Sequence, residues 1–208
     1  MSQVNYLVRV WNDITDYSRF EYIYIYANQP HFYKFIFENI HLLEEDTKIC
    51  LLDSPPSMSG YEGFEKTRDL LMNNYGIKED NIVPIPFLYA HEDMINTMNE
   101  SLSVVRYFFN NNIKNVLIGS VVFHLPRAFL SLLSSSIEQE HNMNIFCLKS
   151  GFIQDWDASY VHSQGILEAS VYDLLNIELQ KINIYHNKGD LVSLYDAIEY
   201  INTRQLFS

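Results

Sequence analysis

Glycine is scarce in this chain, 7 of 208 residues, about half the usual ~7%. Neither GxGxxG nor GxxxxGK[ST] occurs, so a phosphate loop built on glycine is not expected. Cations are scarce too. The 14 Lys and Arg stand against 26 Asp and Glu, a formal net charge of −12. That balance argues against broad nucleic-acid binding, which needs phosphate neutralisation, but it leaves room for one local basic pocket. No apolar run reaches the ~18 residues of a membrane span. Residues 1–13 lack the basic start and apolar stretch of a secretion signal, and the expected location is cytoplasmic. The two cysteines, Cys50 and Cys147, lie far apart in apolar runs. They read as reduced, buried thiols, with a single disulfide as the other reading. HExxH, CxxC and GxSxG are all missing, so neither a metal site nor a serine-hydrolase elbow is expected.

What is present is the composition of a globular domain: 48% apolar and 19% charged residues. No repeat or Pro/Gly/Ser linker divides the chain, which reads as one domain, with a core over about 20–150 and a helical part over about 160–208. Short apolar runs alternate with amphipathic segments. Residues 22–26 (YIYIY), 48–52, 81–85, 115–118 and 143–148 read as strands. Helices are expected from Pro30, over 61–75 with Gly76 as the stop, over about 93–110, from Pro126 to about 135, and over 163–185 and 191–202. This alternation predicts an α/β fold: a Rossmann-like, mostly parallel sheet of about five strands with helices on both faces, plus C-terminal helices. In such sheets the ligand crevice lies beyond the carboxyl ends of the strands.

The residues following each strand are therefore the candidates. They are Asn28 after the first, Asp53 and Ser54 after the second, and Gly119 and Ser120 after the strand at 115–118. Gly119 is expected to let backbone approach a ligand closely. His124 stands just before a proline-started helix, and Arg127 follows three residues later on nearly the same face. Imidazole, guanidinium and helix dipole then converge on a point suited to an anion. The competing reading has His124 capping the helix and Arg127 paired with one of the many acids. A second cluster, Asn96-Thr97-Met98-Asn99-Glu100, has capping-box spacing between Thr97 and Glu100 and reads first as a helix start, second as a wall of the same crevice. Trp156, in Asp155-Trp156-Asp157, reads as a lid stacking on a ring or as a packing residue, and the nearby His162 is open to the same two readings. His91-Glu92-Asp93 is a polar trio open to a metal reading, against which stands that adjacent residues seldom point at one ion, and Glu44-Glu45-Asp46 reads as a solvated turn.

Together, Asn96-Thr97 and His124-x-x-Arg127-Ala128, in this order of elements, resemble the YdcF, SanA and ElyC family, a bacterial domain of unknown function. The resemblance runs from about residue 20 to 187 and is specific from 60 to 128. Where family members read Asn-Thr-x-Glu-Asn, this chain exchanges acid and amide at Asn99 and Glu100. Where they read Thr-Ser-x-x-His-x-x-Arg-Ala, it gives Ser120-Val121-Val122-Phe123-His124-Leu125-Pro126-Arg127-Ala128, keeping His124, Arg127 and Ala128. It departs upstream, with Ala27-Asn28-Gln29-Pro30 and Asp53-Ser54-Pro55-Pro56 in place of glycine turns. The resemblance implies a Rossmann-like fold and S-adenosylmethionine as a candidate ligand. No settled reaction comes with it.

Two functions follow as expectations. The first is a small-molecule binder or enzyme whose anionic or nucleotide-like ligand sits at the strand ends, clamped by Arg127. His124 would act as donor or acid/base, Ser120 and Thr97 would add hydroxyl contacts, and Asn28, Asp53 and Asn99 would set orientation. Were it catalytic, transfer or hydrolysis at a phosphoryl or glycosyl-type centre is the expected chemistry. The second is a partner-binding protein without catalysis, with a drifted pocket and an acidic surface.

Overall fold

The YIYIY run shows how the sheet is sorted. Successive strand side chains point to opposite faces. Ile23 and Ile25 therefore enter one apolar layer and Tyr24 and Tyr26 the other. The computed structural model describes residues 3–13, 17–37, 41, 43–57, 60–89, 95–149, 156–161 and 167–204. Its main sheet comprises β1 (Tyr22–Ile25), β2 (Lys48–Asp53), β3 (Ile82–Pro86), β4 (Asn115–Gly119) and β5 (Asn144–Cys147). All pairs are parallel, in the order β3-β2-β1-β4-β5. This is the α/β, Rossmann-like architecture expected from the sequence. The chain turns back between β1 and β4, so the topological switch point lies at those two strand ends.

The helices are α1 (Gln3–Trp11), α2 (Pro30–Ile36), α3 (Phe64–Tyr75), α4 (Thr97–Asn110), α5 (Leu125–Glu138), α6 (Val171–Lys188) and α7 (Leu194–Thr203). Helices α2 and α3 bring Tyr33, Ile36, Phe64 and Leu71 to the isoleucine face. The tyrosine face is covered by α4 and α5, with α1, α6 and α7 packed outside them. Both cysteines are buried free thiols, and burial pushes each well above the ordinary thiol range. Among the described residues no helix is long and apolar enough to cross a membrane.

Several boundaries differ from expectation for local reasons. Helix α3 starts at Phe64 rather than 61 because Gly63 holds a left-handed φ of 91°. The helix expected from 163 starts at Val171. Ser170 caps it by accepting from Asp173 N–H, and upstream a two-stranded ribbon pairs β6 (Ser159–Val161) with β7 (Glu168–Ser170). Residues 162–166 lie outside the described ones. Helix α1, not anticipated, buries Tyr6, Leu7 and Val10, the i, i+1, i+4 spacing of an amphipathic turn.

Both sheet edges are blunted. In β3, Pro84 and Pro86 remove ladder donors. Along β5 the outward backbone groups are met by side chains. Tyr200 Oη accepts from Ile145 N–H and donates to Met143 O, each at 2.7 Å. Arg204 donates to Ile145 O. Asp13 accepts from Cys147 N–H at 2.7 Å and Tyr17 Oη from Lys149 N–H at 3.0 Å. A buried ion pair between Asp13 and Arg204 joins the two chain ends across this edge.

Candidate functional site

The site begins where α4 starts. Asn96, not Thr97, is the N-cap, and its side chain accepts from Asn99 N–H at 2.9 Å. The cap is thus one residue earlier than the capping-box reading placed it. That shift frees Thr97 and Glu100 to face inward, and both are buried. Glu100 lies beneath β1. Its Oε1 accepts from Tyr24 Oη and from Ala27 N–H, each at 2.7 Å. The neighbouring Tyr26 hydroxyl bonds to Ser101 Oγ and Ala128 O. The alternation of YIYIY therefore supplies the polar floor of the site as well as a core face.

Burial pushes the Glu100 carboxyl up to about 7, against the lowering pull of Ala27 N–H, Tyr24 and Arg127. Because Oε1 already takes two donors, the proton of the neutral form belongs on Oε2. A buried carboxyl set near neutrality is the usual form of a general acid or base.

On the other wall, α5 starts with His124 as N-cap in helical conformation, without a side-chain cap bond. His124 and Arg127 do share a face, as their spacing predicts. What they meet first, however, is a carboxylate of the protein itself. Glu178, fully buried on α6, accepts from Arg127 Nε at 2.5 Å and Nη2 at 3.2 Å, and lies 2.9 Å from His124 Nδ1. Lys181 reaches the same carboxylate at 3.2 Å, and burial lowers its own proton affinity. Arg127 Nη1 donates to Thr97 Oγ1 at 2.7 Å, tying the α4 and α5 walls together. The expectation of an open guanidinium clamp is corrected here: the arginine is buried and anchored internally. Arg127 and Lys181 together outnumber the Glu178 carboxylate, but of the two only Arg127 lines the cleft, which Asp190 also borders.

Beside this network lies a cleft of about 370 Å³, lined by Asn96, Thr97, Asn99, Glu100, His124 and Arg127 among others. Its volume is in the range of small-molecule sites. Tyr185 and Asp190, from the end of α6 and the turn beyond it, form its far side. Ala27, just past the end of β1, also lines it, so the cleft borders one of the two strand ends at the switch point.

The other sequence candidates fall elsewhere. Asn28 (1% exposed) and Ser120 (0%) are buried behind the cleft and do not line it. Gly119 serves packing rather than ligand approach, since an added Cβ would lie 2.6 Å from Ile25 Cδ1. Asp53 is exposed at the end of β2, and Ser54 turns its hydroxyl to Pro55 O at 3.1 Å. Neither reaches the cleft. Trp156 packs on Trp11, ring centroids 5.9 Å apart, and is not a cleft residue. Its neighbour Asp155, His162 and the trio at 91–93 lie outside the described residues. Among the described residues no group of three His, Cys, Asp or Glu side chains is placed to hold a metal.

Sequence reasoning missed Glu178, Lys181 and the tyrosine floor. The signal for Glu178 was present: it interrupts the stripe Val171, Leu174, Leu175, Ile182 that α6 buries. An acid on the apolar face of a helix calls for a buried cation. No protein-family model, curated protein or solved structure matches this chain.

Proposed function

We propose that the protein binds a small anionic, nucleotide-like molecule in the cleft between the N-termini of α4 and α5. The reading is carried by one observation: Arg127, His124 and Glu100, whose carboxyl burial raises to about 7, border a single cleft of about 370 Å³. The Arg127 guanidinium on the cleft wall favours an anionic group there, and repulsion from Glu100 falls as its carboxyl takes up a proton below pH ~7. S-adenosylmethionine, suggested by the likeness to the YdcF family, belongs in the test set with nucleotides and sugar phosphates. If the site turns over its ligand by transfer or hydrolysis, Glu100 is a better proton carrier than His124, whose Nδ1 is already held between Glu178 and Arg127.

Thermal unfolding of the purified protein with each compound tests this. A ligand at 100 times its Kd stabilises by ~2.7 kcal/mol, which shifts the Tm of a chain this size by about 5–11 °C. Arg127→Ala alone strands Glu178 in the core, so the control is the paired Arg127→Met, Glu178→Leu protein. It is expected to fold and to lose the shift. Silence of the folded wild-type protein toward every compound refutes the reading.

A second reading has its own support. Glu178 already occupies the donors of Arg127, as in a pocket that has drifted into a structural brace. The protein would then act through its acidic surface, as a partner-binding module on the same fold. Silence toward all small anions, with capture of a defined protein partner, favours it.

A further inference from the structure

Two carboxyls line the cleft that Arg127 and His124 border, those of Glu100 and Asp190. They differ in how far water can answer their charge. Asp190 is exposed in the turn after α6. Glu100 is 3% exposed, and its Oε1 is engaged by Tyr24 Oη and Ala27 N–H. Most of the titratable groups around Glu100 are phenols: Tyr24 and Tyr26 from β1, Tyr33 from α2, and Tyr61 from the segment before α3. Burial pushes all four well above the ordinary phenol range, so they stay neutral. From α5 come Arg127, whose charge draws the Glu100 carboxyl down, and His124, which meets Glu178 at 2.9 Å. Behind Arg127 stand Glu178 and Lys181 of α6, paired with each other.

An anion entering this cleft meets Arg127 and Glu100 together. Against an ionised Glu100 it is repelled, because a like charge nearby disfavours a carboxylate and a buried one has little water to screen it. Even at about 10 Å and an effective dielectric of about 20, two like unit charges repel by more than the equivalent of a tenfold change in affinity. One proton removes that conflict. Resting on the anionic-ligand reading above, we infer that the cleft takes up its anion together with one proton, which settles on Glu100, so that the site fills below neutrality and empties above it. The Arg127 guanidinium cannot take this part, since it stays charged throughout, and the four phenols stay neutral. Burial sets the carboxyl's own titration at about 7, which places the exchange at the pH where a small change of proton activity moves it most. The coupling is reciprocal: the factor by which the proton strengthens anion binding equals the factor by which the anion strengthens proton binding.

Sulfate is the probe, because it keeps the same double charge across the whole range and cannot supply the proton itself. NMR of the full chain with isotope-labelled glutamate carboxyls follows the Glu100 titration with and without sulfate, its signal being the one that Glu100→Gln removes. Backbone amide shifts of Thr97 and Arg127 report whether sulfate occupies the cleft. At saturating sulfate the Glu100 midpoint is expected to rise by about one pH unit or more, the same tenfold coupling read from the proton's side. The affinity for sulfate should fall by about eightfold or more from pH 6 to pH 9 in the wild type, and stay flat in Glu100→Gln. Amide shifts that show sulfate bound, with the Glu100 midpoint unmoved, overturn the proton coupling and leave the anion site standing. A fall in affinity that persists undiminished in Glu100→Gln places the proton on another group, His124 first, and also overturns it. Sulfate that moves neither the amides nor the carboxyl overturns the anion site, and this inference falls with it.

Discussion

Replacing Glu100 by glutamine isolates the energetic cost of a buried acid. In the folded protein this carboxyl titrates at about 7, against 4.5 for an ordinary glutamate. The fold prefers its neutral form. Below pH ~4.5 the group is protonated whether the chain is folded or not, and its contribution to stability is fully present. As pH rises through about 7 the folded protein must accept the charge, and that contribution is lost. Every tenfold difference in proton affinity between the folded and unfolded chain is worth ~1.4 kcal/mol, so the full loss is about 3 kcal/mol, of which roughly 2–3 kcal/mol falls between pH 5 and pH 8. Glutamine keeps an acceptor for Tyr24 and Ala27 and does not titrate. Glu100→Gln is therefore expected to gain on the wild type by about 2–3 kcal/mol between these two pH values. Urea unfolding of both proteins at pH 5 and pH 8 measures it, and taking the difference cancels the other acids of this highly acidic chain. A difference that stays flat with pH, or a variant that loses ground at pH 8, means that the carboxyl is ionised throughout, and the proton-carrier role goes with it.

Other consequences follow from the same contacts. Glu178→Ala strands Arg127 and Lys181 beside His124 and should cost about 3–5 kcal/mol, the usual penalty for breaking a buried pair. Glu178→Leu combined with Arg127→Met should recover most of that loss in the same urea titration. Tyr200→Phe removes both the acceptor for Ile145 N–H and the donor to Met143 O. We expect a loss of about 2 kcal/mol, faster hydrogen exchange at Ile145, and more self-association through the opened β5 edge, read by light scattering. Unchanged exchange at Ile145 would show that the Tyr200 hydroxyl does not seal that edge.

The segments with strong local signals were legible without any structure. A β-branched and aromatic pentad makes a central strand because the pleat gives each residue type its own face. Gly76 ends its helix in the left-handed conformation, with φ of 68°, as a glycine C-cap does. Pro126 marks the start of α5 within one residue, and strand–helix alternation yields a parallel sheet with its crevice at the carboxyl ends. The pairing of His124 with Arg127 was equally readable, because residues three apart on a helix share a face.

What met that pair was decided only in three dimensions. Glu178 lies 51 positions from Arg127, and no local propensity says which acid a distant helix will bring to a buried guanidinium. The same holds for the turn of Glu100 toward Tyr24, for the packing that forbids a side chain at Gly119, and for the sealing of β5 by residues from both ends of the chain. Sequence determined which segments are strands and helices and that the strands run parallel, since these follow from periodicity and backbone stereochemistry. The tertiary structure alone decided which charges are neutralised and which polar atoms meet, since desolvation and hydrogen bonding depend on neighbours that the fold assembles from remote parts of the chain.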